Sequence, residues 1–139
     1  VLDIIFDRQY DLQVKSFNVD PAQLDPEAKI QFIKDMTLAL TDEMHEMLAE
    51  IGWKPWAKSR HINRDAVAGE LIDALHFWVN ICIAVGLYPD EIKRLYLVKA
   101  SINAKRQEAG YDGISTKCTN CGRALDDPAV TCTKDQCAA

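Results

Sequence analysis

The chain has 139 residues, 48% of them hydrophobic and 27% charged, with no low-complexity tract, which bounds it to one folded domain and at most a small appendage. A formal net charge of −5 argues against general attraction to nucleic acid, which needs clustered Lys and Arg, so a polyanionic substrate would have to be met through metal ions. Val1-Leu2-Asp3-Ile4-Ile5-Phe6-Asp7 lacks the basic region and unbroken apolar core of a signal peptide. The longest apolar stretch, Ala66 to Leu87, carries Glu70, Asp73, His76 and Asn80, too polar for a membrane span. A cytoplasmic setting is expected, with neither membrane nor nucleic acid as a partner.

Helix signals dominate in chain order and no alternating apolar run is framed by hairpin turns, so the expected class is all-α. A first helix is predicted over Asp3 to about Lys15. Asp25-Pro26-Glu27 reads as cap, first-turn proline and first-turn acid of a long helix ending near Ile51, with Gly52 after it. Trp53 to His61, with Trp53, Lys54, Pro55 and Trp56, reads as an ordered loop. Asn63 can cap a third helix running to Gly86, and Tyr88-Pro89-Asp90-Glu91 starts a fourth that stops near Gly110. The third is apolar on nearly every side and must be surrounded. The expected architecture is therefore a bundle of about four helices, completed by dimerisation or higher assembly, over residues 1–112, followed by a linker and small tail over 113–139.

Glu43 and Glu46 lie three apart on the second helix, and Glu70 and Asp73 three apart on the third, so each pair forms one acidic edge. Antiparallel packing would let both edges meet in the bundle interior, as in carboxylate metal sites of helical proteins. Carboxylates on so apolar a helix need a positive partner, and hard oxygen ligands suit Mg²⁺ or Mn²⁺. Glu50 and Asn80 extend the two edges. His45 is expected on the surface, His61 in the loop, His76 as a satisfied buried histidine, and Cys82 in the core.

Glu43-Met-His-Glu46 followed by Glu70-Leu-Ile-Asp73 resembles the ExxE…ExxD signature of the all-α nucleotide pyrophosphohydrolases, the superfamily of MazG-type enzymes and dimeric dUTPases. Trp53-Lys54-Pro55-Trp56, Leu75-His76-Phe77 and the run from Lys99 to Tyr111 resemble the dimeric dUTPase branch, over roughly Leu2 to Tyr111. The resemblance implies two or three Mg²⁺ held by Glu43, Glu46, Glu70 and Asp73, and water attack at the α-phosphate to give nucleoside monophosphate and pyrophosphate. Glu46 is the candidate general base. It further implies phosphate and sugar contacts from Lys99, Asn103, Arg106 and Tyr111, and a nucleotide pocket involving Trp53, Lys54, Trp56, Asn80, Gln9 and Gln13. In dimeric dUTPases a first-helix Gln is followed four residues later by Asn. Here Gln9 is followed by Gln13, and the family's Lys-Asn step is Lys99-Ala100. These departures weaken uracil specificity but not reaction class; dUTP is kept slightly ahead of a purine triphosphate such as (d)GTP or dATP, which compact phage enzymes of the superfamily can take.

Cys118-Thr-Asn-Cys121-Gly122, followed by Cys132 and Cys137, reads as a zinc ribbon whose four thiolates share one structural Zn²⁺. A reading from another class is a helical binding module that uses the zinc tail to recruit a partner and performs no catalysis.

Overall fold

A computed structural model describes residues 1–127. Its order is α1 (Leu2–Ser16), α2 (Pro26–Ala49), α3 (Arg64–Ala84) and α4 (Pro89–Glu108); among the described residues the only β pairings are isolated bridges, Ile51 with Ile62 and Lys117 with Ala124. The all-α expectation holds. Two compact units are formed, Val1–Pro89 with α1 to α3, and the segment from Asp90 on, with α4 and a short hairpin.

Local chemistry accounts for the start of α2 and the end of α3. The Asp25 carboxylate accepts from Ala28 N at 2.9 Å and Pro26 occupies the first turn, where its missing N–H is not needed. At the end of α3, Gly86 N–H bonds Ile83 O (3.1 Å) and Leu87 N–H bonds Cys82 O (2.8 Å), with Gly86 at φ 73°. That is a Schellman closure, in which a left-handed residue satisfies the last carbonyls. Asn63 departs from expectation. It stands at the cap position of α3 but its Oδ1 makes no side-chain cap, while its Nδ2 donates to Glu50 Oε2 at 2.8 Å. With Asn63 N–H on Glu50 O (3.0 Å), it ties the end of α2 to the start of α3.

α2 and α3 pair along their length, and α1 packs on α3. The α2–α3 register is antiparallel: Glu50 meets Asn63, Glu43 meets Glu70, and Met36 meets Asn80. The core is built on α3, whose Val79 and Ile83 are almost fully buried beside Ala74, Cys82 and Ala84; Phe6 of α1 is buried and meets Trp78 edge-on at 6.5 Å. Burial pushes the Cys82 thiol up to about 11, as befits a core cysteine. The expectation that α3 is surrounded is met on one side only, since Leu71 and Ile72 remain 46% and 55% exposed, and α2 has no buried residue at all. By length and composition α3 could cross a membrane, a test that the core helix of a soluble protein also passes.

Candidate active site

Antiparallel packing brings the two acidic edges together. One carboxylate oxygen from each of Glu43, Glu46 and Glu70 lies within 4.8 Å of the other two. Asp73, one turn along α3, lines the same cavity as Glu43 and acts on it electrostatically. The Glu43 carboxyl is held above the usual carboxylate range, first by desolvation, then by a hydrogen bond with Glu70 and by the like charges of Glu46, Asp73 and Glu70. Such a set is short of positive charge, and its donors are all hard oxygens.

Beside the acids lies a cavity of about 500 Å³ lined by Leu12, Phe17, Met36 and Phe77 and by the polar groups Gln9, Gln13, His76 and Asn80. Apolar walls with a few convergent polar groups suit a flat, partly polar ligand. Gln9, Gln13 and Asn80 are buried, and they satisfy one another: Gln9 Nε2 donates to Asn80 Oδ1 at 2.9 Å, and Asn80 Nδ2 donates to Gln13 Oε1 at 3.2 Å. His76 Nδ1 bonds Gln9 Oε1. His76 is thus not a buried histidine but an exposed one at the cavity edge. Its signal was available in the sequence, because Glu70, Asp73, His76 and Asn80 recur near helical period along one stripe of α3.

The remaining site candidates are placed elsewhere. Trp53 and Trp56 are exposed on a loop organised by Arg60, whose guanidinium donates to the carbonyls of Gly52 (2.7 Å), Lys54 (2.9 Å) and Pro55 (3.1 Å). Neither tryptophan nor Lys54 lines the acid-side cavity. His45 is exposed, and His61 in the loop meets Ser59 Oγ at 3.1 Å.

Lys99, Asn103, Arg106 and Tyr111 belong to the second unit. There Lys99 pairs with buried Asp127, and Arg106 grips Asp126, its Nε on Oδ2 at 2.7 Å, while its guanidinium lies over the Tyr111 ring at 5.3 Å. The Arg106 hydrogen bond holds the Asp126 carboxyl below its usual range. The two cations expected to meet phosphate therefore meet tail carboxylates, which sequence reasoning missed because the pairs are 28 and 20 residues apart.

The tail opens with a tight hairpin: Cys118 N–H bonds Arg123 O and Gly122 N–H bonds Cys118 O, both at 2.8 Å. Gly122 takes φ 69°, and the turn holds Cys118 and Cys121 three residues apart on one knuckle. Cys132 and Cys137 lie outside the described residues.

Residues 2–89, which include both acidic pairs and the polar cavity, match a family described as dUTPase. The chain belongs to the dUTPase family. It is a nucleotide pyrophosphatase. This dUTPase-family chain is 26% identical over 141 residues to the dCTP pyrophosphatase of Enterobacteria phage T4, an alignment covering 79% of this chain and 82% of that protein. To the dCTP pyrophosphatase of Enterobacteria phage LZ5 it is 32% identical over 96 residues, covering 52% of this chain and 56% of the relative. A DNA replication protein of phage T4 is 25% identical over 129 residues, which is 70% of this chain but 33% of that protein. No solved structure matches the dUTPase-family chain.

Proposed function

We propose that this protein is a nucleoside triphosphate diphosphohydrolase that converts a pyrimidine deoxynucleoside triphosphate and water to the monophosphate and pyrophosphate. The observation that carries this reading is the convergence of Glu43, Glu46, Glu70 and Asp73 beside a cavity lined by buried carboxamides. Membership of a dUTPase family supports dUTP, and the similarity to phage dCTP pyrophosphatases supports dCTP.

The four carboxylates fit Mg²⁺ or Mn²⁺, since all are hard oxygen donors and Glu46, Glu70 and Asp73 crowd like charge around Glu43. Bound there, two or three divalent ions would neutralise phosphate charge and lower the pKa of water. The protein's own groups do the rest. Glu46, exposed in the set, is the candidate to take the proton of the attacking water, while Glu43, Glu70 and Asp73 would hold the divalent ions to which the phosphates are drawn. Gln9, Gln13 and Asn80 orient the base, and Leu12, Phe17 and Phe77 exclude water around it. Lys54, Trp53 and Trp56, and in the second unit Lys99, Asn103, Arg106 and Tyr111, keep the roles the resemblance implies.

Cys118 and Cys121 fit a structural Zn²⁺ in spacing and turn geometry, with Cys132 and Cys137 as the other ligands. The exposed Leu71 and Ile72 of α3 support a homodimer or higher assembly, formed by a second copy.

The test is a panel of ribo- and deoxyribonucleoside triphosphates with Mg²⁺, scoring monophosphate and pyrophosphate separately. Pyrophosphate from dCTP or dUTP is expected. Inorganic phosphate alone from every member would sink the reading, and the binding-module reading would take its place if nothing turned over.

A further inference from the structure

The polar wall of the cavity is an unbroken relay. His76 Nδ1 bonds Gln9 Oε1, Gln9 Nε2 bonds Asn80 Oδ1, and Asn80 Nδ2 bonds Gln13 Oε1. Its three amides are more than nine-tenths buried, at 4%, 3% and 7% exposure for Gln9, Asn80 and Gln13. Each carboxamide has one end that only donates and one that only accepts, so the direction of one member sets the direction of the next. With Gln9 Oε1 turned to the ring, His76 Nδ1 must carry the hydrogen. At the other end Gln13 Nε2, a donor, makes no hydrogen bond among the described residues, and Gln13 lines the cavity.

The same heavy-atom positions also allow the links to run in reverse. If all three amides turn over and His76 carries its hydrogen on Nε2 instead, every link is remade with donor and acceptor exchanged. Gln13 then presents Oε1, an acceptor. One contact distinguishes the two directions: Asn80 Nδ2 also lies 3.5 Å from Met36 Sδ, a weak acceptor that a reversed amide would face with oxygen. The resting direction is therefore the one in which Gln13 donates.

We propose that this relay is a reversible polarity switch that lets one pocket read either a carbonyl or an amino group at position 4 of a pyrimidine, with His76 as its positioning residue. The proposal rests on the reading that the cavity takes the base of a pyrimidine nucleotide. Uracil offers an acceptor at position 4 and meets the Gln13 donor; cytosine offers an amino donor and meets Gln13 Oε1 after reversal. A pocket with one fixed polarity would reject the other base strongly, by leaving a buried polar group unpaired. A reversible relay pairs the group at position 4 in either complex.

The experiment uses the full chain with ¹⁵N-labelled histidine and the non-hydrolysable α,β-imido analogues of dUTP and dCTP. Ring ¹⁵N shifts report which nitrogen of His76 carries the hydrogen. The expected result is Nδ1–H with the uracil analogue and Nε2–H with the cytosine analogue. The same tautomer in both complexes would overturn the switch while leaving the pyrimidine site intact. Failure of either analogue to bind, with no turnover of dUTP or dCTP, would remove the functional reading beneath it and the switch with it.

Two variants at exposed His76 add a kinetic readout. His76→Lys can only donate to Gln9, so the ratio of kcat/KM for dUTP over dCTP should rise roughly tenfold or more. His76→Gln keeps both polarities and should leave the ratio near that of the parent. An unchanged ratio in His76→Lys would count against the proposal whatever the fall in absolute rate.

Discussion

Desolvation, the hydrogen bond with Glu70 and the charges of Glu46, Asp73 and Glu70 all favour the protonated form of Glu43. A carboxyl whose folded-state pKa is raised contributes stability only while protonated, and that contribution is lost as pH rises through the raised value. The metal-free protein should therefore lose thermal stability from the ordinary carboxylate range upward. A ligand that binds only the native state adds stability by mass action, so Mg²⁺ should raise Tm more at about pH 8 than at about pH 5. Equal shifts at both values in a melting series would contradict this account. Glu43→Gln should raise the Tm of the metal-free protein and reduce the Mg²⁺ response. Glu46→Gln and Asp73→Asn should each lower turnover by about 100-fold or more with helical circular dichroism retained. The acidic pairs were visible in the sequence because i, i+3 spacing is local. That Glu43 is pushed toward its protonated form was not, because this depends first on desolvation by packing and then on charges that include two carried by a second helix.

Among the elements, the connection between α2 and α3 is the most tightly specified. Gly52 N–H bonds His61 O at 2.9 Å beside the Ile51–Ile62 bridge, and a Cβ at Gly52 would stand 2.1 Å from the Ser59 carbonyl oxygen. Backbone cannot move aside as a flexible side chain can. Gly52→Ala should cost about 2 kcal/mol or more in urea unfolding, against about 1 kcal/mol for Asp25→Ala, which removes only one cap hydrogen bond. Comparable losses would mean that the loop yields more easily than its geometry implies. The sequence marked Gly52 only as a helix stop, since its close approach to Ser59 exists only after the loop has folded back. Asn63 makes the same point: capping chemistry was present, but the Glu50 carboxylate at the end of the preceding helix took its amide.

At the scale of the whole molecule, α3 leaves Leu71 and Ile72 exposed, and α2 buries no residue, so the apolar surface of one copy is incompletely covered. With assembly into a dimer or larger oligomer, Tm should rise with protein concentration, and Ile72→Glu should shift sedimentation toward the monomer with loss of that dependence. A monomer at all concentrations would mean that these side chains stay in water. What the sequence determined by itself was whatever local physics decides: the helices, the Asp25 and Gly86 ends, the acidic spacing on each edge and the Cys-x-x-Cys knuckle. Each depends on residues within one or two turns of one another. Tertiary structure decided which partner each polar group takes. Gln9 and Asn80 are 71 residues apart and Lys99 and Asp127 are 28 apart, and no pattern along the chain ranks such partners against solvent or against one another. Only packing does so, because burying a polar group without a hydrogen bond is costly and the neighbours that can satisfy it are set by how the helices meet.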